Sequence, residues 1–359
     1  NTVSALFTDS AGRLWAGTTG GLSQVDHVSG AAIRYTHDAS DLTSIGANDI
    51  TTIYEDRGGL LWFGTKTRGL NKFNPRTWAY GFEPAETVIP GENRQPIITS
   101  FIEDAAGKLC IGTFGDGLNV LERDTGDTVR YRNSETGPLN IGDDRVMSLM
   151  RDNTGRIWVG TMTSGITRLD PQSGESRIYR FDPEDPSSVG ANGIMTLYED
   201  SRGRVWVGTF GGGISLYQAK TDSFIRIVAD ETNPNALSSN RVTSFAEDSS
   251  GLMWVGTESG GLNLLDSESG IIHRFQHDAD DSASIGADTV YDISVDASGA
   301  VWVGTHGGGL DRVIGDARKP DEIRFSNLSR ADGLANDVVY GVEIDNAGTI
   351  WASTNYGIS

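Results

Sequence analysis

Asp200-Ser-Arg-Gly-Arg-Val-Trp206-Val-Gly-Thr209-Phe-Gly-Gly-Gly213 is one copy of a pattern that recurs eight times in this chain. Its tryptophan column reads Trp15, Trp62, Cys110, Trp158, Trp206, Trp254, Trp302 and Trp351, in steps of 47 to 49 residues. A fixed period of that size marks a repeat architecture. Six residues ahead of each of these positions stands an aspartate, from Asp9 to Asp345, and three residues after it a glycine, from Gly12 to Gly348. Asp at the first and Gly at the fourth position is type I turn chemistry, so the spacing predicts a tight hairpin.

The residues flanking that turn define the strands. Val242 and Phe245 give the strand before it an apolar face, whereas Ile157-Trp158-Val159 after it is apolar on consecutive residues. A strand that is apolar on both sides fits between two sheets. The Gly-Thr that ends it (Gly17-Thr18, Gly160-Thr161, Gly304-Thr305) is read as bare backbone on which a neighbour's indole lies. A Gly-rich turn, a third strand such as Gly261 to Asp266 and a fourth such as Ile271 to Phe275 complete the unit. Four short antiparallel strands per 48 residues, without helical periodicity, predict an all-β chain. Radial repetition of such units makes a β-propeller, a solenoid being the alternative. Seven whole repeats predict a seven-bladed propeller over residues 1–334, with residues 335–359 as part of an eighth repeat that begins a further blade or a second ring.

Between repeats runs Asp-x-x-Asp-x-x-Ser followed by Ile/Val-Gly-Ala-Asn or a close variant, as from Asp38 to Asn48, Asp182 to Asn192 and Asp278 to Asp288. Repeat two is irregular: around Trp78 to Phe82 it enters a Pro-interrupted segment, Glu83 to Pro96. The net charge of −20, from 49 acidic and 29 basic residues, excludes a phosphate-backbone partner, since no basic stripe offsets it. The single cysteine, Cys110, excludes a disulfide framework and reads as a small buried hydrophobe in a tryptophan position. No apolar run reaches transmembrane length and no signal peptide is seen. The chain opens and stops inside a strand and is read as a piece of a longer protein.

The best copy, Asn240-Arg-Val-Thr-Ser-Phe-Ala-Glu-Asp248 through Trp254-Val-Gly-Thr257 to Gly261-Leu-Asn-Leu-Leu-Asp266, resembles the two-component regulator propeller repeat. Ala331-Asp-Gly-Leu334 resembles the family's later repeats, while Cys110 and Trp351-Ala-Ser-Thr354 depart from the pattern. The resemblance implies the periplasmic, non-catalytic sensor region of a bacterial receptor. Outside this chain it implies a transmembrane helix and a histidine kinase or diguanylate cyclase output. In some members the ligands are oligosaccharides. Membrane contact comes only through missing segments, and homodimerisation is left open.

Read for chemistry, the residues give no enzyme, no cofactor and no metal. The turn lacks the consistent Ser/Thr of the sialidase Asp box, and a glycosidase needs two carboxyls at a defined separation. A lyase on this fold needs a metal and a histidine. Of His27, His37, His273, His277 and His306, only His273 and His277 share a strand, and they read as surface residues. The Asp-x-x-Asp-x-x-Ser loops suit calcium by ligand type but read first as backbone caps. A specificity surface instead requires positions that vary against the repeated framework. The residue after each Gly-Thr does so (Thr19, Lys66, Phe114, Met162, Phe210, Glu258, His306), as does the residue before the first-strand Val or Ile (Thr2, Asp49, Ile97, Arg145, Gly193, Arg241, Thr289). From these columns and their loops we take Lys66, Arg68, Phe114, Arg145, Phe210, Arg241 and His306 as the candidate ligand-binding residues at the channel mouth. Cations on an acidic body favour an anionic ligand and aromatic faces favour a ring. The expected partner is therefore a small molecule such as an acidic oligosaccharide.

Overall fold

The computed structural model describes residues 2–26, 29–41, 44–74, 79–83, 97–134 and 140–359. His27, Trp78 and all but the first residue of the irregular segment 83–96 lie outside them. The chain divides into two compact units, Asn1–Tyr179 and Arg180–Ser359. Each holds four sheets whose strands pair in sequence order. We number these sheets as blades 1 to 8.

The count corrects the expectation of seven blades and a fragment. Blade 8 is a sheet in its own right, built from the strands Val339–Ile344, Ile350–Thr354 and Gly357–Ile358. Val339 pairs with Thr354 as Val290 pairs with Thr305 in blade 7. A repeat that lacks its fourth strand still forms a paired sheet, so completeness of the repeat is a poor guide to blade number.

The repeat turn has one physical job more than its spacing suggests. Gly203 donates its N–H to the Asp200 carbonyl and sits at φ 74°, which glycine adopts without strain. The Asp200 carboxylate then splits its work: Oδ1 accepts from the amides of Arg202 and Arg204, and Oδ2 accepts the indole N–H of Trp206 at 2.8 Å. The same indole bond recurs in the six other blades that carry the tryptophan. Burial alone pushes the Asp200 carboxyl up, but the donors of Trp206 and Arg204 hold it below the usual range.

Packing runs from blade to blade. Within the first unit Trp15 is buried against Ile50, Ile53 and Phe63 of blade 2, and Cys110 packs with Val146 and Val159 of blade 4. Within the second, Trp206 is sealed against Val242, Phe245 and Val255 of blade 6, and Trp254 packs on Val290 and Val303 of blade 7. Glutamate clamps the rims: Glu247 accepts from the amide and hydroxyl of Ser201, as Glu55 does from Ser10.

The Gly-Thr glycine proves to have a different neighbour from the expected indole. A Cβ on Gly208 would stand 2.5 Å from Thr196 Cγ2 and 2.9 Å from Val242 Cγ1, and one on Gly64 2.6 Å from Ile98 Cβ. The first-strand Val or Ile of the next blade therefore lies on this bare backbone. Gly208→Val should cost about 1–3 kcal/mol by overpacking. Thermal melting checks this, and an unchanged midpoint would remove the close-approach account.

Candidate functional site

Each first strand is bulged at the residue after its Val or Ile, as the register shifts between Val242 and Ser244 and between Val290 and Asp292 show. A bulge frees one residue from the ladder and re-aims its side chain. In several blades that residue is a hydroxyl that donates to the next blade's first strand: Thr51 to the Ile98 carbonyl at 2.6 Å, Thr99 to Val146 at 2.9 Å, Thr243 to Val290 at 2.7 Å.

The two variable columns meet just beyond this bulge. Within a blade, the residue after Gly-Thr donates its N–H to the residue before the first strand: Lys66 to Asp49, Met162 to Arg145, Phe210 to Gly193, Glu258 to Arg241, His306 to Thr289. Across to the next blade, isolated β-bridges join Phe114 to Arg145 and Phe210 to Arg241. The columns thus form a backbone rim within each unit, and four of the candidate residues fall into two neighbouring pairs.

In the first unit Phe114 is 38% exposed beside Arg145. Arg145 is held by Asp143, with Nε–Oδ1 and Nη2–Oδ2 both at 3.0 Å, and by the Thr163 hydroxyl at 2.7 Å. Burial pushes the Asp143 carboxyl up, yet the donors of Arg145 and Thr163 prevail and hold it low, while Asp143 raises Arg145. Lys66 and Arg68 are exposed on the blade 2 loop, and among the described residues neither meets a carboxylate. In the second unit the Arg241 guanidinium lies 4.0 Å over the ring of Phe210, itself 50% exposed, and pairs with Glu258 at 2.7 Å. His306 stands apart from that pair, edge-on to Tyr291 with ring centres 5.6 Å apart. Two of the five expected cations are therefore neutralised by adjacent acids, so the rim is less positive than the sequence suggests.

The inter-blade loops hold a cation of their own. Arg226 Nη2 donates to the carbonyls of Asp182 and Asp185 at 3.0 and 2.6 Å, and Arg274 Nη2 to those of Asp230 and Asn233, both at 2.7 Å. A guanidinium from the fourth strand thus fills the place for which calcium was weighed. The Asp side chains cap locally, Asp185 Oδ1 accepting from the Ser187 amide and hydroxyl. His37 and His277 bind the carbonyls of Ile45 and Ile285 in the same loops. Among the described residues no three His, Cys, Asp or Glu side chains gather as metal ligands, and no helix is long and apolar enough to cross a membrane.

Sequence reasoning missed Asp143, Tyr291 and Tyr340. The last two occupy the bulged column, where Ser4, Thr51, Thr99 and Thr243 stand in other blades, and that departure from hydroxyl to aromatic is the signal that could have found them.

Several known structures share this fold. The extracellular domain of a one component system from B. thetaiotaomicron aligns with 99% of this chain and 46% of its own at 21% identity, with a TM-score of 0.57. PorZ, a surface component of the type-IX secretion system of Porphyromonas gingivalis, aligns over 97% of this chain and 51% of its own at 20% identity, with a TM-score of 0.63. Virginiamycin B lyase from Staphylococcus aureus aligns over 85% of this chain and 92% of its own at 14% identity, with a TM-score of 0.56. The chain spans about half the length of the first two. At such identities the likeness is one of fold. No curated protein matches the sequence. Residues 1–20, 44–67, 140–163, 188–211 and 236–259 match the sequence model of the two component regulator propeller. Five repeats of this chain thus carry the sequence signature of the two-component regulator propeller.

Proposed function

We propose that the chain is the non-catalytic, ligand-sensing propeller of an extracytoplasmic, periplasmic receptor region, and that it binds a small ligand, an oligosaccharide, on the rim of its blades. The observation that carries this is the Phe–Arg pair on the rim of each unit, Phe114 with Arg145 and Phe210 with Arg241. Solvent-exposed rings beside fixed guanidinium donors suit a ligand with one flat apolar face and polar edges. An acidic group on the ligand would be met by Lys66 and Arg68, since Arg145 and Arg241 already hold acids. The family's role and the extracellular one component system domain of like fold support the sensing role.

A panel of oligosaccharides screened by thermal shift tests the reading, because a ligand bound only by the folded state raises its stability. Phe114→Ala and Phe210→Ala, both at exposed positions, are expected to weaken the hit at least tenfold while the melting temperature stays within about 2 °C of the parent. Unaltered binding in both variants would move weight to a protein-interaction role. Turnover of the hit would move it to an enzyme, which a lyase of like fold makes worth measuring.

A further inference from the structure

Blades 7 and 8 break the repeat at the same place. Their bulged first-strand residues are Tyr291 and Tyr340, where other blades carry a small hydroxyl or Met. The two rings stack with centres 5.2 Å apart and 26° between planes. Two bonds fix the strands that carry them: the Val342 amide donates to Asp292 Oδ2 at 2.8 Å, and Ser294 Oγ donates to the Val342 carbonyl at 2.7 Å. Each tyrosine is then met by the variable rim residue of its own blade. His306 sets its ring edge-on to Tyr291, and the Tyr340 hydroxyl donates to Asn355 Oδ1 at 3.1 Å. Tyr340 is 38% exposed and His306 and Tyr356 are exposed too, so this aromatic group faces solvent. Local rules broken together at one site, within a framework that otherwise repeats, are expected where a protein binds something.

We propose that Tyr291, Tyr340, His306 and Asn355 form a subsite for a pyranose ring that carries no negative charge. This rests on the sensing role proposed above and names the ring its second unit takes. A sugar presents an axial C–H face that packs on a tyrosine ring, and its hydroxyls need donors and acceptors at the ring's edge. Those are supplied by the His306 ring nitrogens, the Tyr340 hydroxyl and Asn355. Charge selects against an acid here. The Ser259 amide donates to Thr289 Oγ1 at 3.3 Å, which sets the Glu258 hairpin beside the strand that carries Tyr291. Arg241 is already paired to Glu258, and the chain carries a net charge of −20. A uronic acid ring would have to approach a strongly acidic chain with Arg241 already spent on Glu258, whereas a neutral or amino sugar needs no such partner.

Isothermal titration of the full chain with trisaccharides of glucose, glucosamine and galacturonic acid tests this. With Lys66 and Arg68 both changed to Ala, which removes the unpaired rim cations of the first unit, the glucose or glucosamine trisaccharide is expected to bind at least tenfold more tightly than the galacturonate. Tyr340→Ala should weaken that binding at least tenfold with the melting temperature held. Tyr340→Phe, which keeps the stack and loses the bond to Asn355, should fall between. Preference for the acidic trisaccharide, binding by none of the three, or parental affinity in Tyr340→Ala would each overturn the subsite. If Phe210→Ala loses the sugar and Tyr340→Ala does not, the sensing role stands and this subsite falls.

Discussion

Trp206→Ala is expected to destabilise the protein by about 3–5 kcal/mol, the range for deleting a large buried aromatic. The side chain is fully buried and packs on Val242, Phe245, Met253 and Val255 of the next blade. Its removal leaves a void at a blade interface whose backbone is fixed by a four-stranded ladder, so collapse is limited. It also strips Asp200 Oδ2 of the indole donor, although Arg204 Nε at 2.6 Å remains. Trp206→Phe separates the two effects. It keeps most of the apolar contact and loses only the hydrogen bond, which is worth about 1.5–3 kcal/mol when the acceptor is charged. Denaturant unfolding of the three proteins gives the ordering parent, Phe, Ala. A Trp206→Ala protein that melts within a degree or two of the parent would show that the blades are not held through this column.

What could be read from the sequence follows from what a fixed period can encode. The burial of Trp15, Trp158 and Trp254 was legible because a large aromatic at one place in every repeat has few other uses. The turn aspartate was legible as a cap but not as an indole acceptor, since both roles require the same residue at the same spacing. The neighbour of the Gly-Thr glycine is not legible in the repeat. A repeat shows that something large lies over Gly208, but only geometry distinguishes the Val242 side chain from a ring. Charge was the least legible property of the rim. In the sequence Arg145 and Arg241 read as free cations, whereas in the fold Asp143, two residues away, and Glu258, on the following hairpin, hold them. The Tyr291–Tyr340 stack was hidden for a related reason: pairing between blades depends on a bulge, and bulges leave no fixed mark on a strand pattern.

Asp311→Asn is expected to stabilise the protein at neutral and alkaline pH, by roughly 2–4 kcal/mol at pH 8. Asp311 lies on the third strand of blade 7 and is fully buried. Its Oδ1 accepts from the Gly286 amide at 3.1 Å, while Oδ2 is buried with no partner. In blade 6 the same position is Asn263, whose Oδ1 accepts from the Ser238 amide at 3.0 Å and whose Nδ2 donates to Ser238 Oγ at 2.8 Å. The site therefore accepts an amide elsewhere in this chain, and here it holds an acid with nothing to balance its charge. Burial pushes that carboxyl from 3.8 up to about 7. The folded protein thus holds this proton more tightly than the unfolded chain does. Its contribution is fully present below about pH 4, drains away as pH rises toward 7, and is flat beyond. Each unit between the two values is worth about 1.36 kcal/mol, which sets an upper bound near 4 kcal/mol. Asparagine has no proton to lose, so the variant should match the parent near pH 4 and diverge upward from it through pH 7. Aspartates held low by their donors, such as Asp296 at about 2, make stability fall in stronger acid, and they do so equally in both proteins. Urea unfolding of parent and variant at pH 4.5, 6 and 8 reads the difference directly. Parallel curves across that range would mean that Asp311 is ionised and satisfied in the fold, and that its unpartnered oxygen has a donor after all.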